Sequence, residues 1–155
     1  MSRWAIILCL LHLLLALGCA DAGEGRVSGD VIRVEGREFQ WSFRFPGDDR
    51  RFDTADDRVA VRELHLPAGG PIELRFVSSD YVYTFALPEL ALEQIAVPEM
   101  LFVATLNAAP AGRFVQIGDR MCGYDHEGLN GEVVIEARER FERWLESLPS
   151  QPIGG

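Results

Sequence analysis

Cys122 and His126 are separated by three residues in the run Gly118-Asp119-Arg120-Met121-Cys122-Gly123-Tyr124-Asp125-His126. A thiolate and an imidazole on one short loop are soft ligands of the kind copper takes. The residues that follow, 131–135, read Gly-Glu-Val-Val-Ile, so the loop closes into a strand. Of the three cysteines, Cys9 lies in an apolar leader and Cys19 at its end, which leaves Cys122 as the one thiol of the folded part. No intrachain disulfide is possible there. A lone thiol in an oxidising compartment is either buried or committed to a metal. No nucleophile-base-acid constellation, glycine-rich phosphate loop or paired CxxC accompanies it, so its motifs do not point to an enzyme acting alone.

The leader sets the compartment. Arg3 precedes an apolar run from Trp4 to Leu17, followed by Gly18-Cys19-Ala20-Asp21-Ala22. This is the layout of an export signal. Leu15-Ala16-Leu17-Gly18-Cys19 has the form of a lipobox, and Ala20-x-Ala22 offers an ordinary cleavage site. An uncleaved anchor is the third form, although the run is shorter than the ~20 apolar residues a spanning helix needs. Each form predicts an exported domain on the periplasmic side, tethered to the membrane surface in the lipoprotein and anchored cases. The expected organisation is a signal or short anchor over 1–19, a tether over 20–29, one folded domain over 30–149 and a tail over 150–155.

Charge narrows the partners. The chain has 24 acidic and 15 basic residues, and every basic residue is arginine. The acidic excess argues against nucleic acid; it suits either a basic partner reached by electrostatic steering or simply a soluble surface.

The elements that must position Cys122 and His126 read as strands throughout. Alternation or apolar runs mark 31–35, 39–45, 59–66, 72–77, 80–87, 100–106, 113–117 and 132–136, with Gly/Pro/Asp turns between them. Phe39, Trp41, Phe43 and Phe45 fall on one face of the second segment. Residues 88–98 read as a loop, 52–57 as a charged loop, and 100–106 as a buried strand. Only 138–148 is helical in pattern, with Phe141, Trp144, Leu145 and Leu148 as its stripe and Pro149 as its stop. The fold class expected is all-β: a Greek-key β-sandwich with one C-terminal helix.

In this frame the chain resembles the exported, cupredoxin-like copper-A domain of cytochrome c oxidase subunit II, over residues 32–148. Phe39-Gln40-Trp41-Ser42-Phe43-Arg44-Phe45-Pro46-Gly47 resembles that family's aromatic Gln-Trp segment, and Leu64-His65-Leu66-Pro67-Ala68-Gly69 its Leu-His-Leu-Pro-x-Gly strand end. Asp80-Tyr81-Val82-Tyr83-Thr84-Phe85 resembles the Asp-Val-x-His-Ser-Phe segment, and Phe141-x-x-Trp144-Leu145 also fits. The resemblance implies a first ligand position at Tyr83, where the family has His. Its loop pattern Cys-x-x-x-Cys-Gly-x-x-His-x-x-Met places Gly118 at the first Cys, Cys122 at the second, His126 at the His and Leu129 at the Met. Arg120 stands at the position whose carbonyl is a donor. With one thiolate the binuclear centre is not expected.

What the resemblance implies instead is one mononuclear copper on Cys122, His126 and Tyr83, with Met121, Asp125 or water completing the set. The expected function is electron transfer, from a redox donor such as a c-type cytochrome to membrane oxidase or reductase subunits. A metal-free structural subunit, as in quinol-oxidising relatives, and a copper carrier for oxidase assembly are the alternatives. His65 is expected to pack or hydrogen bond rather than ligate, and Trp41 is either core or an exposed aromatic used for electron uptake.

Overall fold

The computed structural model describes residues 30–107, 109–118 and 126–150. One five-stranded sheet has the order β3 (Arg58–Val61), β2 (Gln40–Phe45), β1 (Asp30–Arg37), β5 (Ile72–Ser78), β8 (Phe102–Leu106). The second has the order β4 (Glu63–Pro67), β10 (Gly131–Glu136), β9 (Gly112–Gly118), β6 (Tyr83–Leu87), β7 (Leu92–Ala96). The pairs β1/β5 and β4/β10 are parallel and the remaining neighbours antiparallel. The all-β sandwich read from the sequence is therefore the fold. Period-two side-chain alternation sends Val34, Trp41, Phe43, Leu74 and Phe76 from one sheet against Leu64, Leu66, Phe85, Leu87, Val133 and Ile135 of the other.

Helix α1 (Arg138–Ser147) closes the end of the sandwich where β1 begins. Phe141 is buried, Trp144 packs edge-on against Phe45 at 5.4 Å, and Arg138 pairs with Asp30 at 2.6 Å. His65 lies flat on Trp144 at 4.2 Å, with Nδ1 2.6 Å from Glu136 Oε1 and Nε2 3.2 Å from Glu63 Oε1. It has the packing and hydrogen-bonding role expected of it, against the helix.

Several sequence readings are corrected. The segment 59–66 is not one strand: Arg62 takes φ 70° and hands the chain from the first sheet to the second. The 88–98 loop contains a 3-10 turn, Pro88–Leu90, and the edge strand β7. The run 100–106 is not buried; its strand is Phe102–Leu106, and Met100, Leu101 and Val103 are about half exposed because β8 is a sheet edge. The charged 52–57 loop buries two of its members. Asp57 takes Arg44 Nη1 at 3.3 Å and Asp53 N–H at 2.8 Å, while the Phe52 ring covers the Arg33 guanidinium at 4.5 Å. Phe39 does not share the inward face of Trp41, Phe43 and Phe45. It sits with Glu38 in the two-residue β1–β2 turn, both at positive φ (51° and 59°). That turn is ordinarily built from Asn and Gly, and left-handed φ costs other residues roughly 1–2 kcal/mol each.

Candidate metal centre

Of the candidate residues, Tyr83 and His126 lie at the end of the sandwich opposite α1. The Glu38-Phe39 turn, residues 79–82 ahead of β6, the end of β9 and the segment 126–130 all meet there. Tyr83, the first residue of β6, is 1 % exposed. Its ring packs on the β1 backbone at Gly36, where an added β-carbon would meet the ring carbons, 3.0 Å from Cγ. It meets Trp41 edge-on at 5.7 Å and Phe39 edge-on at 6.1 Å. Trp41 is core, at 1 % exposure; among the described residues the exposed aromatics at this end are Phe39 and Tyr81.

The Tyr83 hydroxyl is engaged on both sides. It donates to Asp80 Oδ1 at 2.8 Å and accepts the Phe39 N–H at 3.2 Å. Asp80 also accepts the N–H of Glu38 at 2.7 Å and of Tyr81 at 2.8 Å. Burial, which the N–H of Phe39 opposes and the Asp80 carboxylate reinforces, pushes the Tyr83 phenol up to about 12. Burial also works to raise Asp80, but its hydrogen bonds from Glu38, Tyr83, Tyr81 and Ser78 outweigh it and hold the carboxyl below its ordinary value.

A raised phenol pKa means that the fold favours the neutral form. Its contribution to stability is complete below pH 10 and is lost as pH rises from 10 through about 12. An alkaline titration of tyrosine absorbance should therefore show a component near pH 12, and Tyr83→Phe should remove it. Absence of that late component from the unaltered chain would contradict the geometry.

His126 stands immediately ahead of the 3-10 turn Glu127–Leu129. Its imidazole stacks on Phe39, 4.1 Å between ring centres and 19° between planes. Phe39 thus touches both Tyr83 and His126. Cys122, Met121 and Asp125 lie outside the described residues. Among the described residues no group of three or more His, Cys, Asp or Glu side chains is arranged to hold a metal ion. At Gly118, where the resemblance places a first cysteine, an added β-carbon would overlap the Leu129 Cβ and carbonyl oxygen and lie 2.7 Å from its carbonyl carbon. Leu129 is 2 % exposed, its carbonyl accepts Gln116 Nε2 at 2.9 Å, and the Gly118 N–H donates to Asn130 Oδ1 at 3.0 Å. Among the described residues the candidate donors are His126 and Tyr83, and Tyr83 could ligate a metal only by exchanging its Asp80 hydrogen bond for it.

Sequence reading did not find Phe39 as the support of His126, nor Asp80 as the residue that organises the turn. The signals for Asp80 were its match to the Asp of the Asp-Val-x-His-Ser-Phe segment and the Ser78-Ser79-Asp80 cluster, of the kind that binds its own backbone in turns.

The two sheets, the α1 cap and the loop bearing His126 define a cupredoxin-like sandwich. No family model matches the chain. Among known proteins it is similar to the alternative cytochrome c oxidase subunit 2 of Bradyrhizobium diazoefficiens, 30% identical over 144 residues, covering 77% of this chain and 52% of that protein. It is 25% identical to the cytochrome c oxidase subunit 2 of Thermostichus vulcanus over 130 residues, covering 84% of this chain and 37% of the relative. The chain thus spans about half the length of the first relative and less of the second. Its fold matches the periplasmic domain of subunit II of cytochrome oxidase of Bradyrhizobium japonicum with a TM-score of 0.63 and 21% identity, covering 78% of this chain and 94% of that one. The chain is a cytochrome c oxidase subunit II-like cupredoxin domain.

Proposed function

We propose that the chain serves a heme-copper oxidase as a subunit II-like electron-transfer module on the periplasmic side, carrying one copper on Cys122 and His126 beside Tyr83. The observation that supports this most directly is the placing of His126. In a subunit II-like sandwich, its imidazole is held against Phe39, and Cys122 precedes it by four positions in the sequence. When bound, copper would supply a one-electron redox centre on a rigid scaffold. The chain's own part is to orient the imidazole and to supply the thiolate. A c-type cytochrome or similar protein is the proposed donor, membrane oxidase subunits the proposed acceptor, and the segment ahead of Asp30 the proposed tether. Among the described residues no helix is long and apolar enough to cross a membrane.

The test is cupric titration of the purified chain with optical and EPR detection. One tightly bound copper with a thiolate charge-transfer band is expected, and Cys122→Ser should abolish binding. Unchanged copper stoichiometry in that variant would overturn the proposal. A second reading, the metal-free structural subunit, is favoured by the doubly engaged Tyr83 hydroxyl and by the Leu129 backbone filling the space at Gly118. A wild-type chain that yields its copper to a weak chelator would decide for it.

A further inference from the structure

We infer that Tyr83 and Asp80 act as a clamp on the Glu38-Phe39 turn, and that the clamped Phe39 ring is the platform that orients His126. The geometry of the turn is the starting point. Two successive residues with side chains occupy left-handed backbone, one of them a bulky aromatic, in a position that favours Asn-Gly. Strain of this kind persists only where surrounding contacts over-determine it. Here both N–H groups of the turn are taken by side chains from the β5–β6 connection and the first residue of β6: Glu38 N–H by Asp80 Oδ2 and Phe39 N–H by the Tyr83 hydroxyl. Tyr83 and Asp80 are in turn joined through the Tyr83 O–H, so one hydrogen-bonded unit grips both residues.

The grip has a direction. It holds the Phe39 ring between two other rings, Tyr81 on one side at 5.2 Å and 23°, His126 on the other at 4.1 Å and 19°. Among the described residues, this stack is the contact that sets the plane of the imidazole. A ligating histidine needs its ring plane fixed, most often by a hydrogen bond from its second nitrogen. In this chain a clamped aromatic face does that work. Tyr83, Asp80 and Phe39 are positioning residues in this scheme, and Tyr83 keeps its hydroxyl on Asp80. The value of the platform to copper rests on the function proposed above; the platform itself does not.

The test uses the full chain in mild detergent, first without metal. Of its three histidines, His65 stacks on Trp144 at the far end and reports on the integrity of the fold. The ring-proton resonances of His126, assigned with His126→Gln, should carry the upfield displacement of a stacked ring, and Phe39→Leu should abolish it. Tyr83→Phe and Asp80→Ala should each move His126 towards the Phe39→Leu position while leaving His65 unmoved. His126 resonances unchanged in both variants would overturn the clamp. Should Tyr83→Phe also move His65, Asp80→Ala alone decides by the same criterion.

Cupric ion then separates positioning from ligation. A clamp predicts that Tyr83→Phe weakens copper binding about 10- to 100-fold with the same absorption bands, as loss of an outer support does. Unchanged affinity with altered bands would make Tyr83 a ligand and overturn the assignment. A wild-type chain that binds no copper would end the functional proposal, while the metal-free spectra would still judge the clamp.

Discussion

Gly118→Cys, which would put back a thiol at the first cysteine position of the subunit II pattern, is expected to destabilise the domain by about 3 kcal/mol. It is also expected to leave copper stoichiometry at no more than one per chain. The obstruction is backbone, not side chain. A β-carbon at Gly118 meets the Leu129 carbonyl group, and both partners are tied, Leu129 through Gln116 and Gly118 through Asn130. A close-packed site of this kind cannot yield without breaking those hydrogen bonds. For the same reason the double variant Gly118→Cys with Leu129→Met should fare no better, since Met leaves the carbonyl where it is. Urea unfolding measures the first effect and cupric titration the second. A variant of wild-type stability that takes up two coppers would show that the loop can reopen and that the packing does not bar a binuclear centre.

Trp41→Ala should cost about 3–5 kcal/mol, the range for deleting a large buried aromatic. The indole is 1 % exposed and lies edge-on to both Tyr83 and Phe85, so its loss leaves a cavity directly beneath the Tyr83 ring. Trp41→Phe should behave quite differently. The indole N–H is buried without a hydrogen-bond partner, a state that itself costs about 1–3 kcal/mol. Replacing it with a ring that carries no N–H recovers that penalty and offsets much of the lost packing, so a net change within about 1 kcal/mol is expected. Chemical denaturation of the two variants side by side checks the pair. Equal losses would mean that the N–H has a partner.

The sandwich was legible because its central strands obey the two-residue period. Trp41, Phe43 and Phe45 had to share a face, and they do. Edges and junctions were not legible, for identifiable reasons. The apolar stretch from Met100 suggested burial, but an edge strand covers only one side of its pleat, and Val103 points outward from it. Strand β7 was hidden because prolines bracket it and because only its last residue, Ala96, is fully buried. Arg62 breaks a strand pattern through a backbone angle that its side chain does not advertise. At the candidate site, Tyr83 and His126 could be picked out by their place in a pattern. Their mutual support could not, because it runs through the peptide N–H groups of a turn and the face of Phe39, neither of which leaves a mark in residue spacing.

The chain joins the described fold at Asp30, beside Arg138 of α1, whereas the Phe39–His126 stack lies at the other end of the strands. β1 alone has eight residues, a rise of about 25 Å from one end to the other. Any support attached ahead of Asp30 therefore holds the domain by its base, like a lamp on its stem. The histidine rim then faces outward, away from whatever bears the stem. A protein approaching from open solvent meets that rim directly. One embedded beside the attachment point meets it only if the stem is long enough to let the domain turn over. In this architecture the length of the strands, rather than the chemistry of the site, separates the point where the chain enters the fold from the face that His126 offers.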